Sequence, residues 1–193
     1  MQKHSKNTYN RTNTKKLPVN FFTQDLKFTL KNKTHIRQWL ATVAKKESAV
    51  IEELNYIFCS DNYLLELNKK HLNHNTLTDI ITFDNSSPKS EVRSLKSPNI
   101  GHPTPDTRHP TSNIRHRTPD IPHRTSHTRH LTSDIFISIE RVTENAETFN
   151  VSRDHELHRV MVHGLLHLLG YKDKKPADKA EMTGKEDYYL NRF

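Results

Sequence analysis

The sequence has a single cysteine, few glycines and no long run of apolar residues. Because Cys59 has no partner, the chain cannot form an intramolecular disulfide, and nothing in it indicates an oxidising compartment. No segment approaches the roughly 18 apolar residues of a membrane-spanning helix, and the polar N-terminus lacks the apolar core of a signal peptide. We therefore expect a cytoplasmic protein.

Acidic residues are also in the minority, with 22 against 30 lysines and arginines and a formal net charge of +8. Two segments hold this excess. Residues 1–17 contain five basic residues and no acid, and residues 86–131 contain eight basic and three acidic residues. The rest of the chain sums to −2, so any RNA-binding patch on the folded part must be local.

The same two segments are poor in apolar residues. Residues 1–17 show no apolar periodicity, which predicts a disordered basic tail. Within residues 86–131 a heptapeptide repeats, and its copies begin at His102, His109, His116, His123 and His130. A histidine metal array or an RNA-binding arm is the less favoured interpretation. A disordered loop is favoured, because so few core-forming residues cannot offset an ordering entropy of about 1–2 kcal/mol per residue.

Residues 18–193, interrupted by this loop, are sufficient for one compact domain. The predicted strands are Val19 to Phe22, Ala49 to Phe58, Thr78 to Phe83 and Asp134 to Ile139. Three predicted helices run from the N-cap Thr34 to about Ser48, from Ser60 to about His71 and from Glu140 to Phe149. Two further helices are predicted to start near Ser152 or Asp154 and at Pro176. An apolar stripe in the first helix, made of Ile36, Trp39, Leu40 and Val43, is expected to be core.

The most apolar stretch runs from Val160 to Leu169, and its only polar side chains are two histidines. This composition is typical of a buried helix. His163 and His167 are four residues apart, so their imidazoles share one helical face and can bind a single ion. Gly170 can take the left-handed conformation that ends a helix, which allows Asp173 to close the site. Two buried core histidines are the alternative, but each unpaired ring costs about 1–3 kcal/mol, which a shared cation avoids.

The spacing of His163, His167, Gly170 and Asp173 matches the zinc motif of the metzincin peptidases, His-Glu-x2-His-x2-Gly-x2-His. Gly164 replaces the general-base glutamate of that motif, which argues against peptide hydrolysis. Asp173 replaces the third histidine and supplies an anionic oxygen that zinc accepts. The motif therefore predicts a metal site with another chemistry.

Three segments together resemble the YbeY family of bacterial zinc-dependent endoribonucleases. They read Thr78-Asp-Ile-Ile-Thr-Phe83, Asp134-Ile-Phe-Ile-Ser138 and His163-Gly-Leu-Leu-His-Leu-Leu-Gly-Tyr171, and the resemblance covers residues 19–85 and 132–190. It implies an α+β fold in which a small mixed, mostly parallel sheet of about four strands packs with about five helices, one of them buried and carrying the metal ligands. It also implies one zinc ion per chain, cleavage of single-stranded RNA, and roles in maturation of the 16S rRNA 3′ end and in ribosome quality control.

Two positions depart from the family pattern. The family usually reads Gly-Tyr-Asp-His where this chain has residues 170–173 as Gly-Tyr-Lys-Asp. A carboxylate as third ligand makes the zinc less electrophilic and its bound water less acidic. The usual arginine before the Thr-Asp strand is also absent, with Leu72 near its place, and Lys69, Lys70 or a residue of the loop is the hypothesised substitute.

Three protein ligands leave zinc a fourth position, as in catalytic sites, which predicts metal-assisted phosphodiester hydrolysis. Asp79 is a candidate for proton transfer and Lys172 for phosphate contact, although a strand cap and a solvated charge are the simpler interpretations. Gly164 is expected to give a phosphate room near the backbone. The predicted partners are single-stranded RNA and a ribosomal subunit, without DNA or a membrane.

Three alternatives remain open from the sequence. One is a metallopeptidase, favoured by the motif spacing. Another is an iron(II) oxygenase, because two histidines and one carboxylate also form its facial triad. The third is a ribosome-assembly factor without catalysis, in which the metal only holds the fold.

Overall fold

The computed structural model describes residues 17–72, 75–86 and 128–193. Residues 1–16 of the predicted tail and most of the predicted loop lie outside these described residues. In chain order the elements are β1 (Val19–Thr23), α1 (Lys33–Lys46), β2 (Ala49–Cys59), α2 (Asp61–Leu72), β3 (Ile80–Asp84), β4 (Arg129–Ser138), α3 (Ile139–Thr148), α4 (Arg153–Leu168) and α5 (Pro176–Leu190). Within the described ranges, none of the helices has the length and apolar character needed to cross a membrane.

The strands form one mixed sheet in the order β1-β2-β4-β3. β1 and β4 run parallel to β2, and β3 runs antiparallel to β4. Parallel neighbours need a crossover connection, and α1 supplies the one between β1 and β2. The predicted α+β fold with a small, mostly parallel sheet is confirmed.

Several predicted boundaries shift, among them the starts of β4 and α1. β4 begins at Arg129 rather than at Asp134, because the long strand β2 offers backbone partners along its whole length and the pairing starts at Ala49 with Arg129. Residues 129–131, which the sequence assigned to the loop, are therefore part of the sheet. α1 begins at Lys33, one residue before its predicted cap, and is preceded by Asn32 with a φ of 51°, a left-handed conformation that asparagine tolerates.

The main core lies where α1 and α4 pack with the sheet. The predicted α1 stripe is buried, and the fully buried side chains of α4 include Val160, Met161 and Leu165. The Tyr56 hydroxyl reaches from β2 into α4 and donates to the Met161 carbonyl at 2.9 Å. Because residues alternate along a strand, Cys59 points to the other face of the sheet, where it belongs to a smaller cluster with Leu64 of α2.

Helix α4 starts as predicted, after the N-cap Ser152, whose hydroxyl accepts a hydrogen bond from the His155 backbone at 3.1 Å. It ends in a Schellman turn. Gly170 has a φ of +101° and donates to the His167 carbonyl at 2.9 Å, while the Tyr171 N–H donates to the Leu166 carbonyl at 3.1 Å. This left-handed turn reverses the chain and brings the residues after Gly170 back alongside the helix.

Candidate metal centre

His163 and His167 lie side by side on α4. Their Nε2 atoms are 2.9 Å apart, and their rings are almost perpendicular at 85°. The two side chains are 16% and 30% exposed, so the pair sits at the rim of the core and is partly open to solvent. The predicted pairing of the two imidazoles on one helical face is therefore present.

The reversal at Gly170 places Asp173 opposite both rings. Its Oδ2 lies 3.6 Å from His167 Nε2 and 3.9 Å from His163 Nε2, and the three side chains form a group that could hold a metal ion. The point equidistant from the three ligand atoms lies about 2.0 Å from each of them, which is within the range of zinc–nitrogen and zinc–oxygen bonds. The structure thus brings together all three residues predicted as ligands, at a spacing that fits zinc.

Hydrogen bonds at Nδ1 fix the orientation of both rings. His163 Nδ1 is 2.6 Å from Oε1 of Glu186, and His167 Nδ1 is 3.0 Å from the Tyr171 carbonyl oxygen. A carboxylate and a carbonyl can only accept, so both rings carry their hydrogen on Nδ1. Two neutral rings in this tautomer would bring two Nε2 lone pairs close together, with 2.9 Å between the nitrogen atoms and no hydrogen between them. A cation between them removes this repulsion.

Negative charge accumulates beside the histidines. Glu156 and Glu186 are 1% and 7% exposed. Arg159 contacts Glu156 at 2.7 Å, Glu186 at 3.5 Å and Asp79 at 3.6 Å, so one guanidinium faces three carboxylates. Asp173 adds a fourth carboxylate to the neighbourhood. Because partly buried charge of one sign is costly without compensation, the surroundings favour a bound cation.

A second cluster fixes the loop that carries Asp173. The Tyr171 hydroxyl donates to Glu47 at 2.8 Å, Lys185 donates to the same carboxylate at 2.7 Å, and the Tyr189 hydroxyl contacts it as well. Burial by itself would raise the pKa of Glu47, but the hydrogen bonds from Lys185, Tyr189 and Tyr171 outweigh it and hold the pKa below its ordinary value. The end of α1 and helix α5 therefore anchor the Tyr171 backbone that orients His167.

The two residues predicted for proton transfer and phosphate contact lie outside this triangle. Asp79 precedes β3, and its carboxylate contacts Arg159 and, at 3.5 Å, Asn145. In the contacts of the described residues, Asp79 reaches His163 only through Arg159 and Glu186. Lys172 is exposed and adjoins Asp173 in the chain. Both catalytic assignments remain predictions.

Gly164 has a different role from the one predicted. A Cβ atom there would lie 2.6 Å from Cδ1 of Ile80 and 3.2 Å from Cγ2 of Ile135, so the glycine lets α4 pack closely against β3 and β4. The expectation that it makes room for a phosphate is wrong, since side chains of the sheet already fill that space. A glutamate at this position would point into the core, which argues further against a peptidase.

Sequence reasoning missed the residues that support the ligands. Glu156, Arg159 and His163 recur at intervals of three and four on one face of α4, and charged residues that share a face with a predicted ligand were an available signal. Glu186 gave no such signal, because it meets His163 only through the packing of α5 on α4. In the sequence, Glu186 lies in a final helix with many charged residues, where it looks like an ordinary surface glutamate.

Comparison with known proteins finds a matching family model and several similar sequences. The family model described as Endoribonuclease YbeY matches residues 19–193. A relative named Endoribonuclease YbeY from Cytophaga hutchinsonii is 42% identical over 171 residues, which cover 89% of this chain and 92% of that protein. Another of that name, from Flavobacterium psychrophilum, is 40% identical over 172 residues, with 89% and 94% covered. The solution structure of TM1509 from Thermotoga maritima aligns with a TM-score of 0.48 and 21% identity over 90% of this chain and 87% of that one.

The family match includes every strand and helix described above, from β1 to α5. It also includes the three residues that converge at the end of α4. This chain belongs to the Endoribonuclease YbeY family.

Proposed function

We propose that this protein is a zinc-dependent endoribonuclease that hydrolyses phosphodiester bonds of single-stranded RNA. The observation that carries the proposal is the convergence of His163, His167 and Asp173 on one point at distances that suit zinc. Family membership supports the reaction class, since the relatives are named endoribonucleases.

His163, His167 and Asp173 would hold the ion, with the Nε2 atoms of both histidines and a carboxylate oxygen as donors. Zinc, when bound, supplies a Lewis acid for a phosphoryl oxygen and lowers the pKa of water. The protein keeps both imidazoles in one tautomer through Glu186 and the Tyr171 carbonyl. Asp173 and His167 are the more exposed ligands, at 41% and 30%, so substrate has access from the side of the loop after Gly170.

The substrate we propose is ribosomal RNA, with the 3′ end of 16S rRNA on a ribosomal subunit in the cytoplasm as the site of action. This follows the resemblance of the metal motif and the Thr-Asp strand to the family. The near-neutral charge of the folded part agrees with recognition of a local RNA segment rather than with general binding to nucleic acids.

Substitution of the ligands tests the metal site and the reaction together. His167→Ala and Asp173→Ala should each lose bound zinc and RNA cleavage, because two remaining donors do not form a catalytic zinc site. His155→Ala, on the exposed start of the same helix, is the matched control and should keep both. The measurements are zinc per chain by elemental analysis and cleavage of a fluorescent single-stranded RNA.

Two outcomes would contradict the proposal. Full zinc content in His167→Ala would show that the ligand assignment is wrong. A wild-type protein that holds one zinc per chain but leaves single-stranded RNA intact would show that the reaction is wrong. If chelation unfolds the protein, the alternative of a structural metal in an assembly factor is favoured instead.

The donor set also suits iron(II), because two histidines and one carboxylate form the facial triad of iron oxygenases. Elemental analysis of protein purified without added metal separates this second candidate from the zinc enzyme. Iron in stoichiometric amount would favour the oxygenase, and zinc would favour the nuclease.

A further inference from the structure

Glu186 touches the metal centre from a different helix. It lies on α5 with its side chain 7% exposed, and its Oε1 is 2.6 Å from His163 Nδ1. His167 instead donates its Nδ1 hydrogen to a neutral backbone carbonyl, that of Tyr171, at 3.0 Å. The two histidines therefore differ at Nδ1, where His163 is paired with a carboxylate and His167 with a backbone carbonyl.

Glu186 is itself held in place. Its second oxygen, Oε2, lies 3.5 Å from Nη1 of Arg159. Arg159 is fixed in turn by two hydrogen bonds of 2.8 and 2.7 Å to the buried Glu156. Rotation of Glu186 away from His163 would separate it from both partners and leave its charge buried without compensation, which is strongly unfavourable.

We propose that Glu186 is a positioning residue of the metal centre, which fixes the tautomer and orientation of His163 and raises the affinity of the site for a divalent cation. Two physical effects support this role. The hydrogen bond keeps the hydrogen on Nδ1 and the lone pair of Nε2 directed at the ion. The negative charge increases the electron density of the imidazole and adds a favourable interaction with the cation. The inference deepens the proposed function, but its test does not depend on RNA cleavage.

The experiment measures zinc affinity of the full-length protein by competition with a chromophoric chelator. Glu186→Ala should weaken zinc binding by about 10–100-fold, the usual effect of losing such an outer contact, and Glu186→Gln, which keeps an acceptor oxygen but loses the charge, should weaken it less. Glu186→Asp, which keeps the charge on a shorter side chain, should fall between wild type and Glu186→Ala. Glu181→Gln is the matched control, because it makes the same change on the exposed surface of the same helix, and its zinc affinity should equal that of wild type.

Nuclear magnetic resonance gives a readout that a merely structural role would not change. In zinc-loaded wild type, the imidazole nitrogen spectrum of His163 should show hydrogen on Nδ1 and a strongly hydrogen-bonded proton. In Glu186→Ala that proton signal should shift upfield or exchange away, while the signals of His167 stay unchanged. Thermal unfolding of each metal-free variant separates these effects from a loss of folding.

Zinc affinity in Glu186→Ala equal to that in wild type would overturn the proposal. So would an unchanged His163 proton signal in Glu186→Ala. If Glu186→Gln, Glu186→Ala and Glu186→Asp all unfold without metal, Glu186 is a folding residue and the positioning role is rejected. Wild type that binds zinc tightly but does not cleave RNA would contradict the proposed function and leave this inference intact.

Discussion

At the scale of single residues, the sequence predicts the proposed metal ligands, but it does not predict the residue that holds one of them in place. His163 and His167 could be predicted because their spacing is a property of one helix. Asp173 could be predicted because Gly170 marks where the helix must end. Glu186 could not, because its contact with His163 depends on how α5 packs on α4, which no local pattern encodes.

His158 should make the stability of the protein depend on pH. Its ring packs against Phe193 and Trp39, with centroids 4.0 and 6.1 Å away, and burial lowers its pKa to about 4 from the ordinary 6.5. As the pH falls below 6.5, the unfolded chain takes up a proton at this residue before the folded chain does. The contribution of His158 to stability is thus complete above pH 6.5 and is lost as the pH falls through 4.

Thermal unfolding of metal-free protein between pH 4 and 7 checks this prediction. The difference in midpoint temperature between wild type and His158→Gln should shrink or reverse towards pH 4. His71→Gln, an exposed substitution on α2, controls for general effects of losing a histidine. A difference between wild type and His158→Gln that stays constant over the whole range would contradict the assignment.

At the scale of helices and strands, prediction succeeded where one element carries its own signals. The buried helix α4 has an apolar run, a serine N-cap and a glycine end, and its observed bounds follow them. The start of β4 was missed because its first residues form a strand only by pairing with β2. The role of Gly164 was missed for a similar reason, because the glycine allows α4 to pack closely against Ile80 and Ile135 of the sheet.

The loop between α4 and α5 should contribute to RNA binding. Lys172, Lys174 and Lys175 are exposed and surround the proposed ligand Asp173 in the chain, so they sit beside the candidate metal centre. Lys174→Glu combined with Lys175→Glu should weaken binding of single-stranded RNA. It should also reduce the slope of log affinity against log salt by about 0.7 for each phosphate that a lysine no longer neutralises.

Fluorescence anisotropy of a labelled single-stranded RNA, with chelator-treated protein to prevent cleavage, measures both quantities. Lys27→Glu combined with Lys31→Glu is the matched control. Lys31 lines a cavity with Arg153 at the opposite end of α4 from the histidines, so its charge lies far from the candidate metal centre. Equal losses of affinity in the two double variants would show a general charge effect and contradict a local role of the loop.

At the scale of the whole molecule, residues 87–127 lie in the chain between β3 and β4, which are antiparallel neighbours in the sheet. β3 and β4 pair through Asp84 with Ser133, and beyond that pair Ser86 still accepts a hydrogen bond from the Thr132 backbone at 3.0 Å. Composition and repetition predict that this segment is a loop, and the described residues on both sides of it belong to the sheet or contact it. The point where β4 begins depends on its pairing with β2, so composition alone could not predict it.

We propose that residues 87–127 are an appendage, and that a short Gly/Ser linker can replace them. The free-energy cost of closing a loop falls by only about 0.6 kcal/mol each time the loop length is halved. The free energy of unfolding should therefore stay the same or rise by up to about 2 kcal/mol. Zinc per chain should be unchanged, and urea unfolding with elemental analysis measures both quantities.

The matched control is a longer deletion, in which the same linker replaces residues 87–131. It removes Arg129, whose guanidinium donates to the Leu168 carbonyl at 2.8 Å at the end of α4, and the strand residues that pair with Ala49, Val50 and Ile51. Because it strips the first hydrogen bonds of β4 and the buried Leu131, it should destabilise the fold by several kcal/mol, as loss of a core leucine alone costs about 2–5 kcal/mol. Loss of folding or of zinc in the shorter deletion would show instead that the repeat segment contributes to the core.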